Sequence, residues 1–274
     1  MEDKYFAAIA ATDTGELKDL LQAAPEVVRA RLPAVGDGPL CAEGGTGLHV
    51  CVQIGHVELA GMLLDAGIEV DARSHEGRTA LHDAIEHGQH GIQELLLKRG
   101  AEVDICAAAI LGRLDRVREI LDTDPAQAND MSTHLSPLGW ASFGNQVDTA
   151  RELMTRGARM DDGELLCAAS VGHVQVGQVL IKGGADPDKI HAPAGCAAIH
   201  AAAAMRYSQD ATAFISMLLA SGAHPGLRTA AGQTALEIAE AGLKRQEEGA
   251  GEASDQECRK NFEGVIAFLR GSSS

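Results

Sequence analysis

The chain has 274 residues, of which 45% are hydrophobic and 3% are aromatic. This is enough for one large folded unit or two ordinary domains, and it favours thin helices packed through small side chains over a single bulky core. The formal net charge of -16, without clusters of Lys and Arg, argues against a broad nucleic-acid surface and against binding to anionic membranes. An acidic field favours basic partners, or it simply keeps the protein soluble.

The sequence predicts a cytoplasmic location. The six cysteines include no CxxC pair and mostly lie in apolar runs, which is typical of small buried thiols. No apolar stretch approaches the roughly 18 residues of a membrane span. The sequence also lacks the basic start followed by a long apolar run that would indicate secretion.

The first predicted element is a helical pair near the start of the chain. The segment KYFAAIAATDTGELKDLL, from Lys4, aligns with DICAAAILGRLDRVREIL, from Asp104, at an offset of 100 residues. The same offset superimposes Pro25 on Pro125. We therefore interpret this segment as a first repeat and not as a tail.

The next two segments show the repeat most clearly. TGLHVCVQIGHVELAGMLLDAG begins at Thr46 and TALHDAIEHGQHGIQELLLKRG begins at Thr79, a separation of 33 residues. Each starts with TxLH and continues through a short helix, a Gly turn and an LL pair to another Gly. In this motif and spacing the chain resembles the ankyrin-repeat family, whose period is about 33 residues.

Weaker copies continue along the rest of the chain. They start at Asp104, at Ser136, at Gly163, around Ile199 and at Gly232. The stretches AEVDICAAA and MDDGELLCAA pass almost directly into a helix. We therefore expect no extended finger loop at these two places and an irregular groove beside them.

The resemblance implies an all-α fold, an ankyrin-repeat solenoid of about eight helical hairpins, some with β-turn finger loops. We expect one domain over residues 1–274, with approximate repeats at 4–40, 41–70, 71–103, 104–128, 129–161, 162–190, 191–226 and 227–271. One repeat cannot bury its own faces, so stacking supplies the core. The polar segment from Lys244 to Glu257 is predicted to form a loop inside the last hairpin.

Titratable side chains concentrate in the repeat that begins at residue 71. Asp83 takes a place that the other copies give to apolar residues, on the side of the first helix that faces the groove in the family. Glu86 and His87 lie one turn further along, and the preceding finger adds His75, Glu76 and Arg78. Such a cluster suits a polar protein-binding patch, a small-ligand site or proton transfer.

The histidines fall into two main groups. The resemblance implies that His49, His82 and His200, which end TxLH or its weaker copy, bond to neighbouring loops. Six others lie on finger loops or at less constrained places: His75, His87, His90, His134, His191 and His224. Alignment on the inter-helix Gly puts His90 in the column of Val57, which predicts a buried side chain that needs a hydrogen-bond partner.

The groove side of the following repeats is apolar by contrast. The expected contact residues are Ile110, Leu111, Trp140, Phe143, Val171, Met205 and Tyr207. Exposed apolar patches mark binding sites, and aromatic side chains often form their energetic centres. Trp140, the only tryptophan, is therefore the first-choice contact residue. The alternative is that the stack curls enough to bury these side chains against one another.

The sequence favours a non-catalytic interaction protein that holds a protein or peptide partner, basic in character, in its concave groove. The alternative is a small-molecule-binding protein or an acid/base enzyme with a pocket near Asp83, Glu86, His87 and Trp140, with His75 as a further candidate. The sequence contains no Gly-rich phosphate loop, GxSxG elbow, HExxH helix or calcium loop. We expect no metal and no cofactor.

Overall fold

The computed structural model describes residues 1–32, 44–160, 163–192, 194–205, 210–248 and 254–272. These residues form 16 α-helices and two 3-10 helices. Three isolated antiparallel bridges are present, and none of the described residues forms a β-strand. The expected all-α class is confirmed. The chain separates into two compact units: unit 1 is Met1–Ala107 with Asp130–His134, and unit 2 is Ala108–Asn129 with Leu135–Ser274. The division into eight repeats within one domain stays a prediction.

The helices follow one another in pairs along the chain. Unit 1 contains α1 (Glu2–Ala10), α2 (Thr14–Ala23), a 3-10 helix (Pro25–Arg29), α3 (Gly47–Ile54), α4 (Val57–Asp65), α5 (Ala80–Glu86) and α6 (His90–Lys98). Helix α7 (Ile105–Ile110) begins in unit 1 and ends in unit 2. Unit 2 continues with α8 (Leu114–Thr123), a 3-10 helix (Pro125–Asn129), α9 (Pro137–Phe143), α10 (Val147–Thr155), α11 (Gly163–Val171), α12 (Val174–Lys182), α13 (Ala198–Ala203), α14 (Ala211–Ala220), α15 (Ala235–Glu248) and α16 (Ser254–Ser272). None of these helices, within the described ranges, has the length and apolarity that crossing a bilayer requires.

In unit 1 the first helices of successive pairs stack side by side. Helix α3 packs against both α1 and α5, and α4 packs against α6. This stacking buries the following side chains completely or nearly so: Leu48, Leu59, Leu63, Leu81 and Ile92. Helices α3 to α6 have only seven to nine residues each, too short to be stable alone in water, so the packing holds them together.

Unit 2 extends the same arrangement in two rows of helices. One row is α9, α11, α13 and α15, and the other is α8, α10, α12, α14 and α16, each helix packing against the next in its row. Gly177 of α12 allows a close approach to α14, because a Cβ at this position would lie 2.8 Å from the ring of Phe214. Phe214 is completely buried there.

The histidine that ends each TxLH motif ties its helix to the next turn. The Nδ1 of His49 accepts the N–H of Thr46 at 3.0 Å, and its Nε2–H donates to the carbonyl of Arg78 at 3.1 Å. In unit 2 the Nε2–H of His200 donates to the carbonyl of Leu227 at 2.9 Å. Burial lowers the pKa of both histidines. The structural role that the resemblance implies for them is confirmed.

The predicted loop from Lys244 to Glu257 is wrong over most of its length. Helix α15 continues to Glu248 and α16 begins at Ser254, while 249–253 fall outside the described residues. The segment is polar, but Glu, Lys, Gln, Arg and Ala are strong helix formers, and polarity alone does not distinguish a loop from an exposed helix.

The predicted burial of His90 is also wrong. His90 is exposed at the start of α6. The column on which the prediction rested is not a core column, because Val57 is itself 43% exposed at the equivalent place. An exposed imidazole can be solvated, so it needs no partner within the protein.

Candidate functional site

A tight turn before α5 positions the candidate site in unit 1. Arg73 and Thr79 form an antiparallel bridge, and between them the N–H of Ser74 donates to the carbonyl of Arg78 at 2.8 Å. The N–H of Gly77 then closes the turn on the carbonyl of Ser74 at 3.0 Å. These bonds place Arg78 at the base of the turn, immediately before α5.

Arg78 pairs with two carboxylates of α5. Its Nη2 lies 2.7 Å from Oδ1 of Asp83, and it also pairs with Oε2 of Glu86. The two carboxylates share a helix face because they are three residues apart. The side chains of Arg78 and Asp83 are 9% and 10% exposed, and that of Glu86 is 24% exposed. Three of the residues predicted for the site are thereby joined directly.

This pairing indicates a structural role for the cluster, because Arg78 neutralises carboxylates that are buried or half-buried. Removing the cation would leave Asp83 buried beside Glu86 with no opposing charge from Arg78, which is costly. One oxygen of each carboxylate, Oδ1 of Asp83 and Oε2 of Glu86, pairs with Arg78, so both carboxylates balance a buried cation. Within the described ranges, no group of three or more His, Cys, Asp or Glu side chains is arranged to hold a metal ion.

The other three predicted residues of this repeat are exposed. The ring of His75 lies over Gly44, where a Cβ would come within 2.1 Å of it. The Nδ1–H of His87 donates to the carbonyl of Asp83 at 2.8 Å, at the end of α5. Glu76 lies at the tip of the turn. These three side chains border the Arg78 cluster and do not join it.

A second segment lies directly against the turn. A Cβ built on Gly77 would be 1.7 Å from the carbonyl oxygen of Ser132, and the φ of +74° also favours glycine at this position. Asp130 braces the segment by accepting the N–H of Ser132 at 3.0 Å and its hydroxyl at 2.7 Å. The hydroxyl of Thr133 donates to Sγ of Cys106 at 3.6 Å. The segment Asp130–His134 is therefore part of unit 1.

This contact bypasses one repeat. Between α6 and α7 the chain forms a short turn and then residues 101–104 without a bridge, in accord with the expectation for AEVDICAAA. With no bridged turn from the intervening repeat beside it, the turn before α5 meets Asp130–His134 instead. The irregularity was predictable from the shortened sequence, but the segment that contacts the turn was not.

His134 adds an imidazole beside the Arg78 cluster. Partial desolvation and then the charge of Arg78 lower the pKa of His134, while the charges of Glu86, Glu76 and Asp83 act in the opposite direction. These groups therefore interact electrostatically across the turn and the segment. The sequence placed His134 among the less constrained histidines but gave no sign of these neighbours.

Asp104 is a site-shaping residue that the sequence reasoning missed. Its Oδ1 accepts bonds from Nε2 of His82 and from the N–H of Ala107, both at 3.0 Å, and its Oδ2 pairs with Arg73 at 3.0 Å. Burial alone would raise the pKa of Asp104, but these three partners together lower it well below its usual range. The available signal was an Asp just before a predicted helix, the preferred cap residue. The Nε2 of His82 thus bonds to the Asp104 carboxylate, whereas the Nε2 of the equivalent His49, one repeat earlier, bonds to the backbone carbonyl of Arg78.

The expectation that Trp140 faces an open groove is wrong. None of its surface is exposed, and its ring lies edge-on to that of Phe143, with centroids 6.3 Å apart. Ile110 and Met205 are buried as well, at 6% and 7% exposure. Helix α9 packs against both α11 and the 3-10 helix Pro125–Asn129, which encloses its side chains within unit 2. These three side chains are buried, as the alternative expects, and Trp140 packs against another candidate, Phe143.

The remaining apolar candidates of unit 2 keep partial access. Phe143 ends α9, Val171 ends α11 and Leu111 directly follows α7, and all three are half-buried. They occupy equivalent places at the ends of successive first helices. Tyr207 lies outside the described residues.

The comparison with known proteins identifies the same family as the TxLH motifs. Residues 7–107 match the family model described as ankyrin repeats (3 copies). No curated protein matches the chain. The matched range includes the turn, α5 and the Arg78 cluster, and it ends before Asp130–His134.

Proposed function

We propose that the chain, whose residues 7–107 match the ankyrin-repeat model, is a non-catalytic interaction protein that binds a protein or peptide partner. Ankyrin repeats generally mediate protein–protein interaction. Because a fold alone does not name a function, the proposal also needs support from the surface of this chain.

The partner that we propose is basic, and its place is the concave groove that first helices and turns line in this family. Unit 1 holds nineteen acidic and eight basic residues, whereas unit 2 holds twenty and fifteen. On the unit 1 turn Glu76 is exposed, Arg78 is buried against Asp83 and Glu86, and the exposed Arg73 is paired with Asp104. This uneven charge is the observation that carries the proposal, because an acidic field steers basic partners and disfavours acidic ones.

Unit 2 provides apolar contacts of its own. Leu111, Phe143 and Val171 of unit 2 retain accessible surface at equivalent helix ends. Half-buried apolar side chains supply contact area without the exposure that promotes aggregation. The deeply buried Trp140 is excluded from this set.

The proposed location is the cytoplasm. The cysteines of the described residues are free thiols: Cys51, Cys106, Cys167, Cys196 and Cys258. Burial raises the pKa of the Cys51 and Cys106 thiols to about 12, which keeps them protonated and unreactive. Several unpaired buried thiols suit a reducing compartment.

Affinity capture with matched charge reversals tests the proposal. Wild-type protein, Glu76→Lys and Glu58→Lys are immobilised and exposed to extract of the native cell. Glu58 is the control because it is exposed on α4, a second helix of the same unit. We expect Glu76→Lys to retain a basic protein about tenfold less than the other two, because reversal places like charge against it. Equal retention by all three, or selective retention of acidic proteins, contradicts the proposal.

A further inference from the structure

The turn before α5 and the segment Asp130–His134 together present one continuous surface in unit 1. We call it the turn surface and define it by Glu76, Glu86, Met131 and His134. The backbone contact between Gly77 and Ser132 holds its two halves together. Glu76 and Met131 each adjoin one of these two contacting residues, and His134 interacts electrostatically with both Glu76 and Glu86.

The charge of this surface is negative because both arginines of the turn are already paired: the exposed Arg73 with Asp104 and the carbonyl of Gly77, and the buried Arg78 with two carboxylates of α5. Arg78 is 7% exposed and directs its guanidinium at Asp83 and Glu86. The two arginines of the turn are thus matched by Asp83, Glu86 and Asp104, and the exposed Glu76 adds a fourth carboxylate. The excess belongs to the unit that already carries nineteen acidic and eight basic residues. A basic ligand reaching this surface meets a favourable field from both the local groups and the unit as a whole.

Met131 gives the same surface an apolar element. It is 60% exposed, one of three large apolar side chains with high exposure among the described residues. An unbranched thioether adapts its shape to different apolar partners. Its neighbours Asp130 and Ser132 are bonded to each other, so the backbone that presents Met131 is braced.

We propose that the turn surface binds a lysine- or arginine-rich peptide segment that also carries an apolar side chain. The basic groups pair with Glu76 and the accessible part of Glu86, and the apolar side chain covers Met131. This inference rests on the proposed function and deepens it by adding Asp130–His134 to the groove and by specifying both halves of the ligand. It requires the two segments to be in contact, since neither alone contains both a carboxylate pair and the methionine.

Calorimetric titration of the full chain with defined peptides tests the ligand chemistry. The probe is a short peptide of lysine, leucine and serine. One control peptide has glutamate in place of lysine, and another has serine in place of leucine. We expect the probe to bind wild-type protein, the leucine-free peptide to bind about tenfold more weakly, and the glutamate peptide to show no binding. Equal affinity for the first two peptides overturns the apolar half of the inference.

Variants and cross-linking test the location. We expect Glu76→Lys and Met131→Ser each to weaken the probe about tenfold, and Glu58→Lys to leave its affinity within about twofold. A photoreactive version of the probe should cross-link to residues 74–87 or 130–134. Binding that cross-links at other first-helix ends, unaffected by Glu76→Lys and Met131→Ser, overturns this inference but leaves the proposed function standing. Absence of binding by the probe overturns the inference, and the capture experiment with native extract then decides separately on the proposed function.

Discussion

The α-carbon of Gly77 faces the carbonyl of Ser132 so closely that a Cβ at position 77 would lie 1.7 Å from the oxygen. Two segments far apart in the chain are thereby in direct contact, with one repeat between them whose loop forms no bridged turn. The contact depends on a hydrogen atom standing where every other amino acid has carbon. Where the intervening repeat forms no bridged turn, the segment Asp130–His134 therefore packs against the turn before α5.

Gly77→Ala should therefore disrupt the turn surface. The alanine meets both a left-handed φ of +74° and the Ser132 carbonyl, and we expect a loss of about 2–3 kcal/mol in the free energy of unfolding. Gly67→Ala is the matched control, since its φ is +85° but nothing lies within 4 Å of the added carbon. It should cost about 1 kcal/mol. Equal losses in urea unfolding of the two variants would show that the contact is unimportant.

Arg78→Met should be more damaging than loss of an exposed arginine. The variant leaves Asp83 buried and opposed by Glu86 without the Arg78 charge, and we expect a loss of about 3 kcal/mol. Arg73→Met is the comparison, because Arg73 is 40% exposed and its partner Asp104 keeps the bond from His82. We expect about 1 kcal/mol or less there. Chemical denaturation measures both, and a smaller loss for Arg78→Met than for Arg73→Met refutes the structural role of the cluster.

Tyr5→Phe should stabilise the protein. The hydroxyl of Tyr5 is buried without a hydrogen-bond partner among the described residues, and burial raises the pKa of this phenol. Removing the hydroxyl relieves the desolvation of an unpaired polar group, worth about 1 kcal/mol. Tyr5→Leu serves as the control that also removes the ring, and it should destabilise. A lower urea midpoint for Tyr5→Phe than for wild type shows that the hydroxyl has a partner in solution.

Acidification should weaken the fold through its buried histidines. Burial lowers the pKa of His49 and His200 from the ordinary 6.5, so the unfolded chain binds protons at a pH where the folded chain does not. Their stabilising contribution is complete above about pH 6.5 and is lost as the pH falls through the folded pKa values. We expect a lower urea midpoint at about pH 5.5 than at about pH 7.5, with a smaller difference in His200→Gln. A midpoint that is constant or rises on acidification contradicts this assignment.

The helical pairs were predictable because they depend on local and repeated features. The TxLH motifs at Thr46 and Thr79 mark helix starts, and the 33-residue separation identifies the period. His49 and His200 then bond to the next turn as the motif implies. Because the pattern recurs at a fixed spacing, copies that lack part of the TxLH motif could still be aligned with the complete ones.

The site was less predictable because it depends on what lies beside each repeat. Trp140 occupies a groove-side column, but the packing of α9 against its neighbours encloses it, and no column in the sequence encodes the amount of enclosure. Arg78, Asp83 and Glu86 were identified as a group, whereas their direct pairing depends on rotamers and on the turn geometry. The approach of Ser132 to Gly77 is a long-range contact that skips one repeat. The repeat period predicts contacts between successive repeats, so it gave no indication of this one.

Hydrogen–deuterium exchange of the full chain, with and without the partner recovered by affinity capture, tests the central claim most directly. We predict slower exchange on binding in peptides that cover 74–87 and 130–134, with no change across the second helices α4 and α6. Protection confined to α4 and α6, or the same exchange with and without partner at every peptide, would contradict the assignment of the turn before α5 and the Asp130–His134 segment as the binding surface.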